Sequence, residues 1–142
     1  MSATGFTEPT YVKNVKGDKD VYEYALLRVV PRVERGECFN AGVLVYCRAQ
    51  SYVGALTHLD EAKLSVLDPR ADLAGVRAAL RAVENICAGG DAAGQAGADD
   101  AGRRFRWLIA PRSTVVQPGP VHTGLTADPR SEAERLLRLL VF

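Results

Sequence analysis

Two short stretches hold the residues able to do chemistry. The first, RVERGECFNAGVLVY at 32–46, sets Arg35, Glu37 and Asn40 in a polar elbow between two apolar runs. A guanidinium can grip a carboxylate or phosphate through parallel hydrogen bonds, and a carboxylate such as Glu37 can serve as acid or base. The second, APRSTVVQPGPVHTG at 110–124, gathers Arg112, Ser113, Thr114, Gln117, His122 and Thr123 among three prolines and two glycines. Prolines pre-order a chain, so polar side chains on it are held at low entropic cost. Arg112 is placed to clamp an anion, with the Ser113 and Thr114 hydroxyls as added donors. His122 carries an imidazole, the side chain best suited to acid–base work. The candidate catalytic residues are therefore His122 and Glu37, and the candidate ligand-binding residues are Arg35, Asn40, Arg112, Ser113, Gln117 and Thr123.

Each group also has a plain structural use. Gly36 fits a positive-φ turn position, Arg35 and Glu37 an ion pair within the loop, and Asn40 a bond to neighbouring backbone. Ser113 can cap local backbone and His122 can sit in a turn. Against this, an elbow of about ten residues is longer than the two to five that a hairpin needs, and over-long loops on a rigid sheet commonly carry sites. No G-x-S-x-G, P-loop or H-E-x-x-H pattern occurs, so no cofactor is implied. Cys38, Cys47 and Cys87 are odd in number and far apart, and the histidines are His58 and His122. That spacing does not suit structural zinc, and it suits free thiols in a reducing cytoplasm.

The elements that must position these residues follow from hydrophobic period. In VYEYALLRVVP, Tyr22, Tyr24, Leu26, Arg28 and Val30 form one face and Val21, Glu23, Ala25, Leu27 and Val29 the other. Both are mostly apolar, as in a central strand covered on both sides and stopped by Pro31. GVLVYCRA and YVGALTHL, the latter carrying His58 as a partly buried strand residue, complete a three-stranded antiparallel meander. Asp60 caps a short helix bearing Leu64 and Leu67. A longer helix is expected to start with Asp68 as N-cap and Pro69, to carry the stripe Leu73, Val76, Leu80, Val83 and Cys87, and to end at Gly89 and Gly90. Residues 88–102, AGGDAAGQAGADDAG, are too poor in apolar surface to offset their ordering entropy and read as a flexible loop. RFRWLIAP reads as a strand, with Phe105, Trp107 and Ile109 opposite a basic face. Pro118 and Pro120 confine the next stretch to an edge. Asp128 and Pro129 open a C-terminal helix.

The fold expected is α+β: an antiparallel sheet beginning with the meander, packed by two or three helices, in one domain over 21–142 after a polar extension at 1–20. At 142 residues and 47% hydrophobic content, one core suffices without metal or disulfides. Lys and Arg total 18 against 17 Asp and Glu, so there is little field to steer toward nucleic acid. No signal-like or membrane-length apolar run is present, and the expected location is cytoplasmic.

YALLRVVPRVERGECFNAGVLVY and RFRWLIAPRSTVVQPGPVHTGL together resemble a bacterial family known as domain of unknown function number 3037. Its markers here are R-G-E-x-x-N-x-G-V, at Arg35, Gly36, Glu37, Asn40, Gly42 and Val43, and the A-P-R-S-T and P-V-H-T-G segments at 110–114 and 120–124. Gly119 stands where the family pattern favours a small polar residue. The resemblance carries no activity. Because its members are often encoded beside a kinase-like protein of the bacterial toxin type, it implies a binding or accessory module with such a partner. The rival expectation is a small enzyme acting on a phosphate- or carboxylate-bearing substrate with His122 as acid or base, Arg112 and Arg35 as clamps and Glu37 as second carboxylate. A third is a homo-oligomer joined through an edge strand.

Overall fold

A computed structural model describes residues 18–89 and 99–142. Expectations for residues 1–17 of the polar start and 90–98 of the Ala/Gly/Asp-rich stretch lie outside the described residues.

The architecture is α+β. Strand β1 (Asp20–Val29) pairs antiparallel with β2 (Phe39–Cys47), and a 3-10 turn at Arg48–Gln50 returns the chain as β3 (Tyr52–Thr57). This is the meander expected from the three apolar runs. On the far side of β1 lie β4 (Val116–Pro118) and β5 (His122–Thr126), both antiparallel to it. They behave as one interrupted edge. Pro118 faces Leu27, and an unbroken register would set Val121 opposite Tyr24, yet His122 stands there. One extra residue therefore bulges between β4 and β5. Pro118 and Pro120 donate no N–H, and an edge with a bulge is where such residues fit.

Helix α1 (Glu61–Leu67) starts as expected, with the Asp60 carboxylate accepting from the Lys63 N–H at 3.1 Å. Helix α2 (Leu73–Ala88) starts four residues later than the Asp68–Pro69 pair suggested. Asp68 instead closes a turn, accepting from Arg70 N–H at its side chain and from Ala71 N–H at its carbonyl. Asp72 takes the capping role, accepting from Gly75 N–H at 3.0 Å. The end at Gly89 is as expected, with φ of 77° and its N–H on the Asn85 carbonyl. Along the polar side of α2, Glu84 accepts from the Thr57 hydroxyl at 2.7 Å.

The largest correction is at RFRWLIAP, which is not a strand. Residues Ala101–Leu108 form helix α3, capped by Asp100 accepting from Arg103 N–H at 2.8 Å. Phe105 and Leu108, three residues apart, are buried, while Trp107 is half exposed. Of the stretch at 88–102, Ala88 thus closes α2 and Ala101 and Gly102 open α3. Helix α4 (Pro129–Leu140) begins as read, with Pro129 in its first turn and the Asp128 carboxylate accepting from Arg130 and Ser131 N–H groups.

The sheet lies between two helical layers. On one face Leu27, Val29, Leu44, Tyr46 and Val53 pack with Leu64, Val76, Leu80, Phe105 and Leu108 from α1, α2 and α3. On the other, Tyr22, Val43, Val45 and Cys47 pack with Ala133 and Leu136 from α4. Each large side chain so buried contributes about 1.5–3 kcal/mol. His58 departs from expectation: it lies one residue past β3, exposed, with its ring edge-on to Phe142 at 4.6 Å. Among the described residues no helix is long and apolar enough to cross a membrane.

Candidate functional site

The elbow between β1 and β2 is built from its own residues. Gly36 takes φ of 73°, the left-handed conformation that glycine adopts at no steric cost. That turn folds Arg35 back onto Glu37, and the guanidinium donates to both carboxylate oxygens at 2.8 and 3.2 Å. The Arg35 hydrogen bond holds the Glu37 carboxyl below the usual carboxylate range. Arg32 and Glu34 form a second such pair. Asn40 does not bond neighbouring backbone; its amide donates to the Leu140 carbonyl at the end of α4, 3.0 Å away. The strand register carries it there, because Asn40 shares the sheet face that α4 covers.

In the 110–124 segment, Arg112 lies 4.6 Å over the Trp107 ring and donates to the Trp107 and Ala110 carbonyls, closing the C-terminus of α3. With Thr114, Val116 and Trp107 it lines a groove of about 390 Å³ floored by Ala79, Val83 and Ile86. Ser113 is exposed. The Thr114 hydroxyl donates to the Val116 carbonyl, and the Gln117 amide to that of Thr114. Thr123 is exposed opposite Glu23, on the face turned to α3.

The structure joins the roots of the two segments. Val30 donates to the Val115 carbonyl at 2.7 Å, and Pro31 and Val115 line one groove of about 320 Å³ with Asp68, Asp72 and Val76. It does not bring His122 to Glu37. His122 faces Tyr24, five residues before β1 ends at Val29, which is about 17 Å of strand. The ring partner of His122 is Tyr24, at 5.2 Å between centroids.

The sheet instead gathers three of the candidates, Asn40, Gln117 and His122, around Arg28, which the sequence does not single out. Arg28 is paired with Asn40 on one side and Gln117 on the other, so three polar side chains form a row across β2, β1 and β4. On the same face the next rows hold His122 beside Tyr24 and Gly124 beside Tyr22. Helix α4 packs on β2 and β3 and reaches β1 through the Tyr22 hydroxyl, which donates to Glu132 at 2.5 Å. The strip over β1, β4 and β5 runs beside the helix. Arg28 lies half-buried on it, its guanidinium over Gly119, where a methyl group would come within 3.0 Å of Cζ. The available signal was Arg28 itself, a full charge on a strand whose faces are otherwise mostly apolar. Among the described residues no three His, Cys, Asp or Glu side chains gather as metal ligands.

The Tyr22–Glu132–Arg135 cluster at the end of the strip makes stability depend on pH at both extremes. The Arg135 hydrogen bond is the main cause holding the Glu132 carboxyl below its ordinary range, with burial opposing and the Tyr22 hydroxyl assisting. Its contribution is present above the unfolded carboxylate pKa and is lost as pH falls through the lowered folded one. Burial, reinforced by Glu132, pushes Tyr22 up to about 12. That contribution is complete below the unfolded phenol pKa of about 10 and disappears as pH rises from there to the folded value. Thermal unfolding across pH should show Tyr22→Phe flattening the alkaline limb and Glu132→Gln the acid one. An alkaline limb unchanged in Tyr22→Phe would contradict this assignment.

The family model described as "Protein of unknown function (DUF3037)" matches residues 24–141. No curated protein and no solved structure matches the chain. The match runs from the second half of β1 to the end of α4, taking in the elbow, the 110–124 segment and the strip between them, and the chain belongs to this family of proteins of unknown function.

Proposed function

We propose that the chain is a non-catalytic binding or accessory module, and that its recognition surface is the end of the sheet where the elbow and the 110–116 segment meet. The observation that carries this reading is the bond from Val30 to the Val115 carbonyl, which clamps the roots of both segments beside one groove. The elbow that continues from Pro31 carries Arg32–Glu34 and Arg35–Glu37 as exposed pairs fixed within their own loop, with Val33 43% exposed between them. An apolar floor with a pre-organised polar rim is the usual anatomy of a protein interface. The partner class is the kinase-like protein that the family resemblance suggests. A reducing cytoplasm suits Cys38, Cys47 and Cys87, none of which is in a disulfide among the described residues.

The test is co-expression with the kinase-like protein of the same genome, followed by size-exclusion chromatography. A stoichiometric complex is expected, weakened about tenfold or more by Arg35→Ala with Arg112→Ala while the double variant stays folded by circular dichroism. A complex indifferent to the double variant, or none with the wild type, would sink this reading. The enzyme reading draws support from His122, exposed and held against Tyr24. Its anion clamp would then be Arg28, because Arg35 is engaged with Glu37 and Arg112 with Trp107 and backbone. Substrate turnover lost in His122→Gln would favour it.

A further inference from the structure

We propose that the strip beside α4 is an oxyanion-binding subsite that takes a phosphate or carboxylate group on Arg28, flanked by Gln117 and His122. It lies on the α4 face of the sheet, opposite the α2 side where the recognition groove opens, and does not depend on that reading.

The first ground is the environment of Arg28. It sits on the central strand of the sheet, half-buried, between Asn40 and Gln117. Taking a guanidinium partly out of water is unfavourable unless acceptors replace the lost hydration. Other placed arginines of this molecule have theirs: Arg106 has Glu23, and Arg104 has the Ile86 and Cys87 carbonyls at the end of α2. Among the described residues Arg28 has no hydrogen-bonding or ion-pair partner. Arg48, Arg70, Arg81 and Arg138 also lack acid partners, but all four are exposed and water serves them.

The second ground is the cradle. Gly119 sits in the bulged link between β4 and β5, and a Cβ there would stand 3.0 Å from the Arg28 Cζ and 3.2 Å from Nε and Nη2. The missing side chain is what lets the guanidinium lie flat across the edge. This also gives a physical use to the position where Gly119 departs from the family pattern. The amide nitrogens of Asn40 and Gln117 each make one bond to a carbonyl and keep a second N–H. From Gly119 to His122 is three residues, about 10 Å of extended chain at most. An anion on Arg28 thus has the imidazole within reach of the rest of a small ligand. The acids that the β1 register sets on this face are distant: Glu132 is at Tyr22 and held by Arg135, six residues of β1 or about 20 Å from Arg28, and Asp20 accepts from Gln50 eight residues or about 26 Å away. The local charge offered to a ligand is therefore positive, and the guanidinium fork matches a planar or tetrahedral oxyanion through two bonds.

The experiment is an NMR titration of the full chain, following backbone amides with inorganic phosphate, with acetate, and with chloride at matched ionic strength. Saturable shifts at Gln117, Gly119 and His122 with phosphate or acetate, absent with chloride, are expected. Saturation by one anion alone assigns the phosphate or the carboxylate source. Arg28→Ala should weaken binding about tenfold or more. Gly119→Ala keeps the charge but displaces the guanidinium, so it should weaken binding in the same direction, and Arg28→Lys should lose part of it. If Arg28→Ala does not fold, the other two variants decide. The double variant Arg35→Ala with Arg112→Ala should bind the anion as the wild type does. Absence of saturable shifts with both anions, or wild-type affinity in both Arg28→Lys and Gly119→Ala, overturns the proposal.

Discussion

Phe105→Ala is expected to lower the free energy of unfolding by about 3–5 kcal/mol, a large share of the margin of a domain this size. Phe105 is fully buried, and its ring stacks on Tyr46 at 5.1 Å between centroids. It ties α3 to the centre of the sheet, since Tyr46 belongs to β2. Helix α3 has eight residues and buries only Phe105 and Leu108, so truncating one anchor leaves a cavity that so short an element cannot collapse to fill. The informative control is Trp107→Ala. Trp107 is 50% exposed and stacks with Arg112, so its loss should cost much less. In a strand the two aromatics would share a face and both substitutions would be severe. Two chemical denaturation curves distinguish the cases, and equal losses would contradict the helix.

That pair of residues also shows where the sequence was ambiguous. Phe105, Trp107 and Ile109 alternate, but Phe105 and Leu108 are also three apart, and over so few residues both periods fit. Asp100, with Ala101 and Gly102 behind it, supplies the cap, but it sits in the 88–102 stretch whose composition reads as a flexible loop. A similar choice between neighbours misplaced the start of α2, where Asp68 and Asp72 both offer a carboxylate and only the closed turn at Asp68–Ala71 gives the cap to Asp72. Long, clean signals were legible: two apolar faces on β1, the capped α4, the prolines at the β4–β5 edge. The site was legible only in part. The chemistry of Asn40, Gln117 and His122 marks them out in the sequence, but Arg28 joins them through cross-strand pairing, which sequence spacing does not reveal. Glu37 and His122 match as an acid–base pair in the sequence, and the strand register separates them.

Gly42→Val is expected to cost about 3 kcal/mol or more, with Gly42→Ala at about 1–3 kcal/mol. A Cβ at Gly42 would meet the Leu56 carbonyl oxygen at 2.8 Å, the Thr57 methyl at 3.1 Å and Leu27 Cδ1 at 3.2 Å. The first contact is backbone of the neighbouring strand, which cannot turn aside as a side chain can. Relief would require β3 to move from β2, and with it the bond from His58 N–H to the Ala41 carbonyl. The position also borders the irregularity between β1 and β2, where Leu27 faces Gly42 but Arg28 faces Asn40, leaving Ala41 as the extra residue. That bulge puts Asn40 under Leu140 and beside Arg28, so Gly42 supports the polar row without touching a ligand. The two glycines of the elbow motif then differ in kind: Gly36 is needed for its backbone angle, with nothing within 4 Å of a Cβ, and Gly42 for want of space. Denaturation of Gly42→Ala beside its anion titration separates the roles. A variant as stable as the wild type that nevertheless failed to bind would make Gly42 a ligand-contact residue, contrary to this assignment.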